Sequence, residues 1–181
     1  MTSPAGSPPF VSDHRFYGVV IGVVTNVNDP THLGRVQIRL PWYASGYRRW
    51  ARVAQFYAGP KFGSTWVPEK DGEVLVAFDH GSLRSPYVIG CLHGKVDTPP
   101  HSRSASSDIR TLRTPAGLEL TFDETNGVVT VKTPNGASVQ LAEKSGEITI
   151  KASSSISLEA KKISIKGTDS VSISGKTIDL N

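Results

Sequence analysis

Along the last third of the chain the apolar residues come in i, i+2 pairs: Val129/Val131, Val139/Leu141, Ile148/Ile150, Ile156/Leu158, Ile163/Ile165, Val171/Ile173 and Ile178/Leu180. First members of successive pairs lie 10, 9, 8, 7, 8 and 7 residues apart, with Gly, Ser, Thr, Asn, Lys and Glu between them. A pair at i, i+2 puts both side chains on one face of a strand. Each unit therefore predicts a short strand, apolar on its inner face and polar on its outer face, followed by a turn. A helix fits poorly, because the i+3 and i+4 positions are mostly Ser, Thr or Lys and β-branched residues fill the apolar sites. A longer echo precedes this ladder. Thr114-Pro115-Ala116-Gly117 returns 19 residues later as Thr133-Pro134-Asn135-Gly136, and Glu124 and Gly127 return as Glu143 and Gly146. Internal repetition of this kind predicts a solenoid or β-helix.

The front half has another rhythm. Tyr17 to Val27 alternates weakly around two glycines and predicts a long strand bent by Gly. Asp29-Pro30 opens a turn. Val36, Ile38 and Leu40 then alternate with Arg35, Gln37 and Arg39 as a half-buried strand. Trp50 to Phe56 gives a third strand, Glu73 to Phe78 a fourth after the Asp71-Gly72 turn, and Pro86 to Leu92 a fifth. Five short strands over about 80 residues fit a small Greek-key barrel of the OB type. The expected organisation is all-β. A flexible Pro/Ser/Gly-rich arm covers residues 1–14, the barrel 15–94, a Pro/Ser spacer 95–108 and the ladder 109–181.

One ribbon of such strands cannot enclose its own apolar face, and both its edges stay open. A single-chain β-helix needs about 18 or more residues per turn to close, more than twice the shorter units of this ladder. Three identical chains wound round one axis, each giving a strand to each face, would form a closed prism. The ladder from about residue 110 is therefore expected to be one strand of an intertwined homotrimeric β-helix, with the seven pairs from Val129/Val131 to Ile178/Leu180 as its core. The alternatives are a β-sandwich, which would show longer strands, and a disordered tail, which the regular Ile/Val/Leu spacing argues against.

Charge sharpens this division. Residues 1–95 hold ten Lys/Arg and six Asp/Glu, whereas residues 96–181 hold ten of each, so the net +4 belongs to the front half. A neutral ladder suits close packing of like chains. The single cysteine, Cys91, allows no disulfide within the chain and reads as a small buried residue beside Ile89 and Leu92. Residues 1–15 lack a basic start followed by an apolar run, and Val19 to Val24 is too short to cross a membrane. Synthesis in a cytoplasm without a cleaved leader is expected.

Catalysis has little to work with. Asp79-His80-Gly81-Ser82 holds an acid, a histidine and a serine, but adjacent residues on a hairpin tip rarely meet in triad geometry. Asp123 and Glu124 are neighbours that would face opposite sides of a strand. The five histidines, at 14, 32, 80, 93 and 101, share no metal-ligand spacing. No catalytic residue, metal or cofactor is expected. Arg48, Arg49 and Arg52 with Tyr47, Trp50 and Tyr57 bring basic and aromatic residues together on a fold that often binds single strands. The same residues can serve as barrel core or as protein contacts, and nucleic acid is not the expected partner.

The segment Gly18 to Trp42 (GVVIGVVTNVNDPTHLGRVQIRLPW) resembles the opening of the phage baseplate assembly protein V and VgrG spike family. So do Trp50-Ala51-Arg52-Val53, Gly59 through Gly63, Pro68 through Phe78 and Pro86-Tyr87-Val88-Ile89-Gly90. The Thr-Pro-x-Gly openings of the ladder are similar to that family's needle. The resemblance, which runs over nearly all of residues 17–181, implies an OB collar and a trimeric β-helical needle at the tip of a contractile injection machine. That machine would be a phage tail baseplate or a phage-derived extracellular or membrane-attached particle. The large hub region that VgrG proteins carry before the barrel is not seen in the 16 or so residues here, so the resemblance implies a separate baseplate hub protein. The 95–108 linker is too short for the lysozyme domain of some phage members. The His-x-His iron site of some needles has no counterpart after His101. A PAAR-type tip protein on Ile178, Asp179, Leu180 and Asn181, and a target cell envelope ahead of it, complete the expected partners. A trimeric glycan-binding tail adhesin and a nucleic-acid-binding OB module are the alternatives.

Overall fold

The computed structural model describes residues 15–43 and 46–179. The predicted arm at 1–14, and Leu180 and Asn181 of the predicted tip contact, lie outside the described residues. The chain divides into two compact units between Pro99 and Pro100.

The first unit is built on β1 (Val20–Asn26), β2 (Val36–Arg39), β3 (Arg49–Val53), β4 (Ala58–Gly59), β5 (Phe62–Gly63), β6 (Glu73–Phe78) and β7 (Pro86–Cys91). Five of these close a barrel in the order β1-β2-β3-β7-β6. Every contact in it is antiparallel except β3 with β7, which is parallel. This is the predicted OB-type barrel. Alternation works as expected: Val36, Ile38, Val74, Val76 and Val88 point inward with Val24, Leu40, Ala51 and Phe78 to form the core. Gly22 is where β1 needs a glycine, since a Cβ there would lie 2.9 Å from a Val76 methyl carbon. The strand also carries a bulge at Val24/Asn26. The small β4–β5 hairpin was not foreseen, and Tyr57 at its base is no core residue: it is exposed and packs on Phe62 with ring centroids 5.4 Å apart.

Cys91 also departs from expectation. Alternation from buried Pro86 and Val88 puts Cys91, the last residue of β7, on the exposed side with Ile89. Partial burial of the thiol itself raises its pKa, away from the thiolate.

The second unit carries β8 (Ile109–Arg113), β9 (Glu119–Asp123), β10 (Val128–Lys132), β11 (Ser138–Ala142) and β12 (Glu147–Lys151). They form one antiparallel sheet in chain order. The 19-residue echo is one up-and-down unit of this meander. Each Thr-Pro-x-Gly copy is a turn closed from Gly to Thr, Gly117 N–H to Thr114 O at 2.9 Å and Gly136 N–H to Thr133 O at 3.2 Å. Gly117, Gly127, Gly136 and Gly146 all have positive φ, which only glycine adopts freely. Here the structure differs from the sequence expectation. Between Ile109 and Lys151 each strand pairs with its neighbours in the same chain, where the reading of the ladder assigned the pairing to other chains. The glycine turns are the reason, for they fold the chain back on itself every nine or ten residues. After Lys151 the turn sequence is missing, with Ala152-Ser153-Ser154-Ser155 in its place. Residues 152–179 form no assigned strand or helix and are exposed throughout.

The stretch before β8 is more than a bare spacer. Ser104 and Ser107 form an isolated bridge, Arg103 and Arg110 both reach Asp108, and the Asp108 amide donates to Thr125 Oγ1 at 3.1 Å.

Candidate functional site

The meander sorts its side chains by face. Cross-strand register aligns Arg110, Phe122, Val129, Leu141 and Ile148 in one row and Leu112, Leu120, Val131, Val139 and Ile150 in the next. Nine of these ten residues are apolar. Leu120 and Val129 are half-buried, and the others are exposed, up to Ile148 at 67%. Six of the residues predicted as trimer core, Val129, Val131, Val139, Leu141, Ile148 and Ile150, thus share one face. Ile156, Leu158, Ile163, Ile165, Val171, Ile173 and Ile178 continue the pattern along 152–179, each at least half exposed.

The opposite face is polar, with a row of Thr111, Thr121, Thr130, Gln140 and Thr149. Beside it lies a charge cluster that sequence reading missed. Glu119, 5% exposed, takes Lys132 Nζ at 3.0 Å and the Thr121 hydroxyl at 2.9 Å on Oε1, with Arg113 Nε 3.7 Å from Oε2. His101 Nε2, itself buried, stands 3.5 Å from Oε1. Lys132 is the main cause of the low carboxyl pKa. With Thr121 and His101 it outweighs the opposing effect of burial and brings the group down to about 2. The signal was out of reach because Glu119 and Lys132 are 13 residues apart and meet only through the register.

On the barrel, Asp29 organises the β1–β2 loop. Its carboxylate accepts the amides of Thr31, Leu33 and Arg35, the Thr31 hydroxyl, and the Arg35 guanidinium at 2.8 Å. Arg35 is the principal cause that holds the Asp29 carboxyl far below the usual carboxylate range. The loop is thereby fixed with Leu33 at its exposed tip.

The catalytic candidates fall apart on inspection. Asp79, His80 and Gly81 make a short 3-10 turn, and His80 Nε2 is 3.8 Å from Asp79 Oδ1 and almost fully exposed. Ser82 Oγ accepts the Arg84 amide instead of facing the imidazole. Asp123 caps its own turn by accepting the amide and side-chain N–H of Asn126, while Glu124 pairs with Arg110 at 3.0 Å. Among the described residues no group of three His, Cys, Asp or Glu could hold a metal ion. No helix there is long and apolar enough to cross a membrane.

The basic and aromatic residues of β3 are brought together, but ring against guanidinium. Arg35 lies over Trp50, Arg49 over Tyr47 and Arg52 over Tyr87, each at 5.7 Å. Tyr47 is half-buried against the core and donates its hydroxyl to Leu83 O at 2.8 Å, and burial pushes its pKa up to about 12.

Residues 20–93, the closed barrel, match the family described as the type VI secretion system/phage-baseplate injector OB domain. The barrel is an injector OB domain of that family. Its relatives include the type VI secretion system spike protein VgrG3 of Vibrio cholerae, 31% identical over 106 residues, which are 53% of this chain and 10% of that protein. VgrG2a of Pseudomonas aeruginosa is 27% identical over 53% of this chain and 13% of its own length, and VgrG4b of the same organism 32% over 46% and 11%. The matches therefore span about a tenth of these relatives. All three are named spike proteins, none after an enzymatic activity.

Proposed function

We propose that this chain is the central spike of a contractile injection system, a phage tail baseplate or a phage-derived particle. The observation that carries this reading is the apolar face of the meander. Its strands pair in register with their neighbours in the sheet, yet Leu112, Phe122, Val131, Val139, Leu141, Ile148 and Ile150 face solvent. Three copies packing these faces round one axis would bury them and leave the threonine row and the Lys and Glu residues outside. Along 152–179, where the chain has no pairing of its own, the three copies would interwind as a β-helix and satisfy their backbone groups on one another. A rod so made is stiff, because no unit leaves without breaking its neighbours, and its stability is largely kinetic. The barrels form the collar that seats on a hub trimer. Ile178 and Asp179, with Leu180 and Asn181 outside the described residues, would meet a PAAR-type tip. Sheath contraction would drive the needle into the target envelope, and the chain itself performs no chemistry.

Native mass, by light scattering or mass spectrometry with and without a heated detergent step, tests this. The expected result is a trimer that resists dissociation. A monomer would overturn the reading.

A further inference from the structure

The barrel carries a groove of about 610 Å³ over the parallel seam between β3 and β7. Its walls include Leu33, Trp50, Tyr87, Arg35, Arg52 and Arg84. Two features make it a prepared site. The Asp29 clamp fixes the loop that bears Leu33 and Arg35 before any partner arrives, so little ordering is left for binding. And among the described residues neither Arg52 nor Arg84 has a carboxylate within 4 Å, although Arg35 nearby is fully engaged by Asp29. Asp79, the one acid in the lining, lies nearest His80. Two guanidiniums without a carboxylate partner, beside apolar surface, match carboxylates presented by a protein.

We propose that this groove docks an acidic protein segment, carboxylates to Arg52 and Arg84 and apolar side chains to Leu33 and Ala58. This rests on the spike reading, within which the segment belongs to the hub and the groove names the collar residues that touch it. Charge complementarity selects the class of partner, since the front half of the chain holds the whole net charge of +4. Nucleic acid fits less well. Single strands bind by stacking bases on open rings, and here Arg35 and Arg52 cover Trp50 and Tyr87.

The test titrates acetyl-(Glu-Leu)4-amide into the isotope-labelled full chain at low salt and follows backbone and indole N–H shifts. Perturbations centred on Trp50, Arg52, Arg84 and Tyr87 are expected. Affinity should fall with salt, and the double variant Arg52→Glu/Arg84→Glu should weaken it about tenfold or more. Arg52→Lys/Arg84→Lys should bind at an intermediate level, because charge is kept and the planar fork lost. No binding, shifts centred elsewhere, or equal binding by the charge-reversed variant would overturn the proposal. Tighter binding of a twelve-nucleotide oligothymidylate than of the peptide would assign the groove to nucleic acid instead. Melting curves show whether each variant remains folded. Native mass on the same samples separates the outcomes: a trimer that ignores the peptide refutes the groove alone, and a monomer refutes the spike reading whatever the groove binds.

Discussion

In the barrel, Val24, Val36, Ile38, Val74 and Val76 are sealed from solvent by their own chain. In the repeat sheet the same kinds of residue, on strands of similar length, stand in the open: Val131, Ile148 and Ile150 are more than half exposed. Composition does not separate the two regions. Closure does. A barrel returns its last strand to its first and encloses an interior, whereas a flat meander has two edges and one apolar side left over. Equal hydrophobicity therefore gives a self-sufficient domain in one place and half of an interface in the other.

The comparison breaks most visibly at the ladder. Ile165→Lys would place three uncompensated ammonium groups near one axis of the proposed trimer. It should abolish the trimer, seen as loss of its mass by light scattering, while the near-ultraviolet dichroism of the barrel persists. A normal trimer from this variant would mean that Ile165 faces outward. Ile38→Ala should do the reverse. It empties a fully buried core position and should cost the barrel about 2–5 kcal/mol in denaturant unfolding without changing the native mass. Asp29→Ala frees a guanidinium and three amides from their acceptor and should lower barrel stability by about 1–3 kcal/mol, with hydrogen exchange rising over residues 31–35. The smallest effect belongs to the polar face of the sheet. Because the carboxyl of Glu119 titrates at about 2 in the folded chain, below its unfolded value, its contribution is complete above that unfolded value and is lost as pH falls from about 4.5 toward 2. Melting temperatures of Glu119→Gln should therefore be less acid-sensitive than those of the parent across that window.

What could be read from the sequence follows the range of the forces involved. Alternation at Val36/Ile38, at Glu73–Phe78 and in the ladder pairs is a local property of a strand, and it located the barrel strands and the sheet face. The Thr-Pro-x-Gly repeats marked turns for the same reason. Which strand a ladder unit pairs with is not local. Turn geometry decides it, and the positive-φ glycines, read only as punctuation, turned out to keep Ile109–Lys151 paired within one chain. The Glu119 cluster and the Arg52–Tyr87 contact were hidden because their partners meet only after the sheet or barrel is closed. The Asp29 clamp lies within seven residues of sequence, but Asp-Pro reads as an ordinary turn until three amides are seen converging on one carboxylate. Cys91 was misplaced because it was read from its apolar neighbours, whereas alternation from buried Pro86 and Val88 sends both Ile89 and Cys91 outward.

The last glycine turn, at Gly146, has a consequence for timing. Up to Lys151 every step of folding is available to a lone chain and its rate is independent of concentration. Residues 152–179 carry no strand that folds back on the sheet, and in the proposed trimer their ordering would become a reaction among three molecules, whose rate would rise steeply with their concentration. The preformed sheets lower that reaction order. Once three of them had met along their apolar faces, as proposed, the tails would begin side by side and in register, and winding them together would proceed as a first-order event, like a zip already engaged at one end.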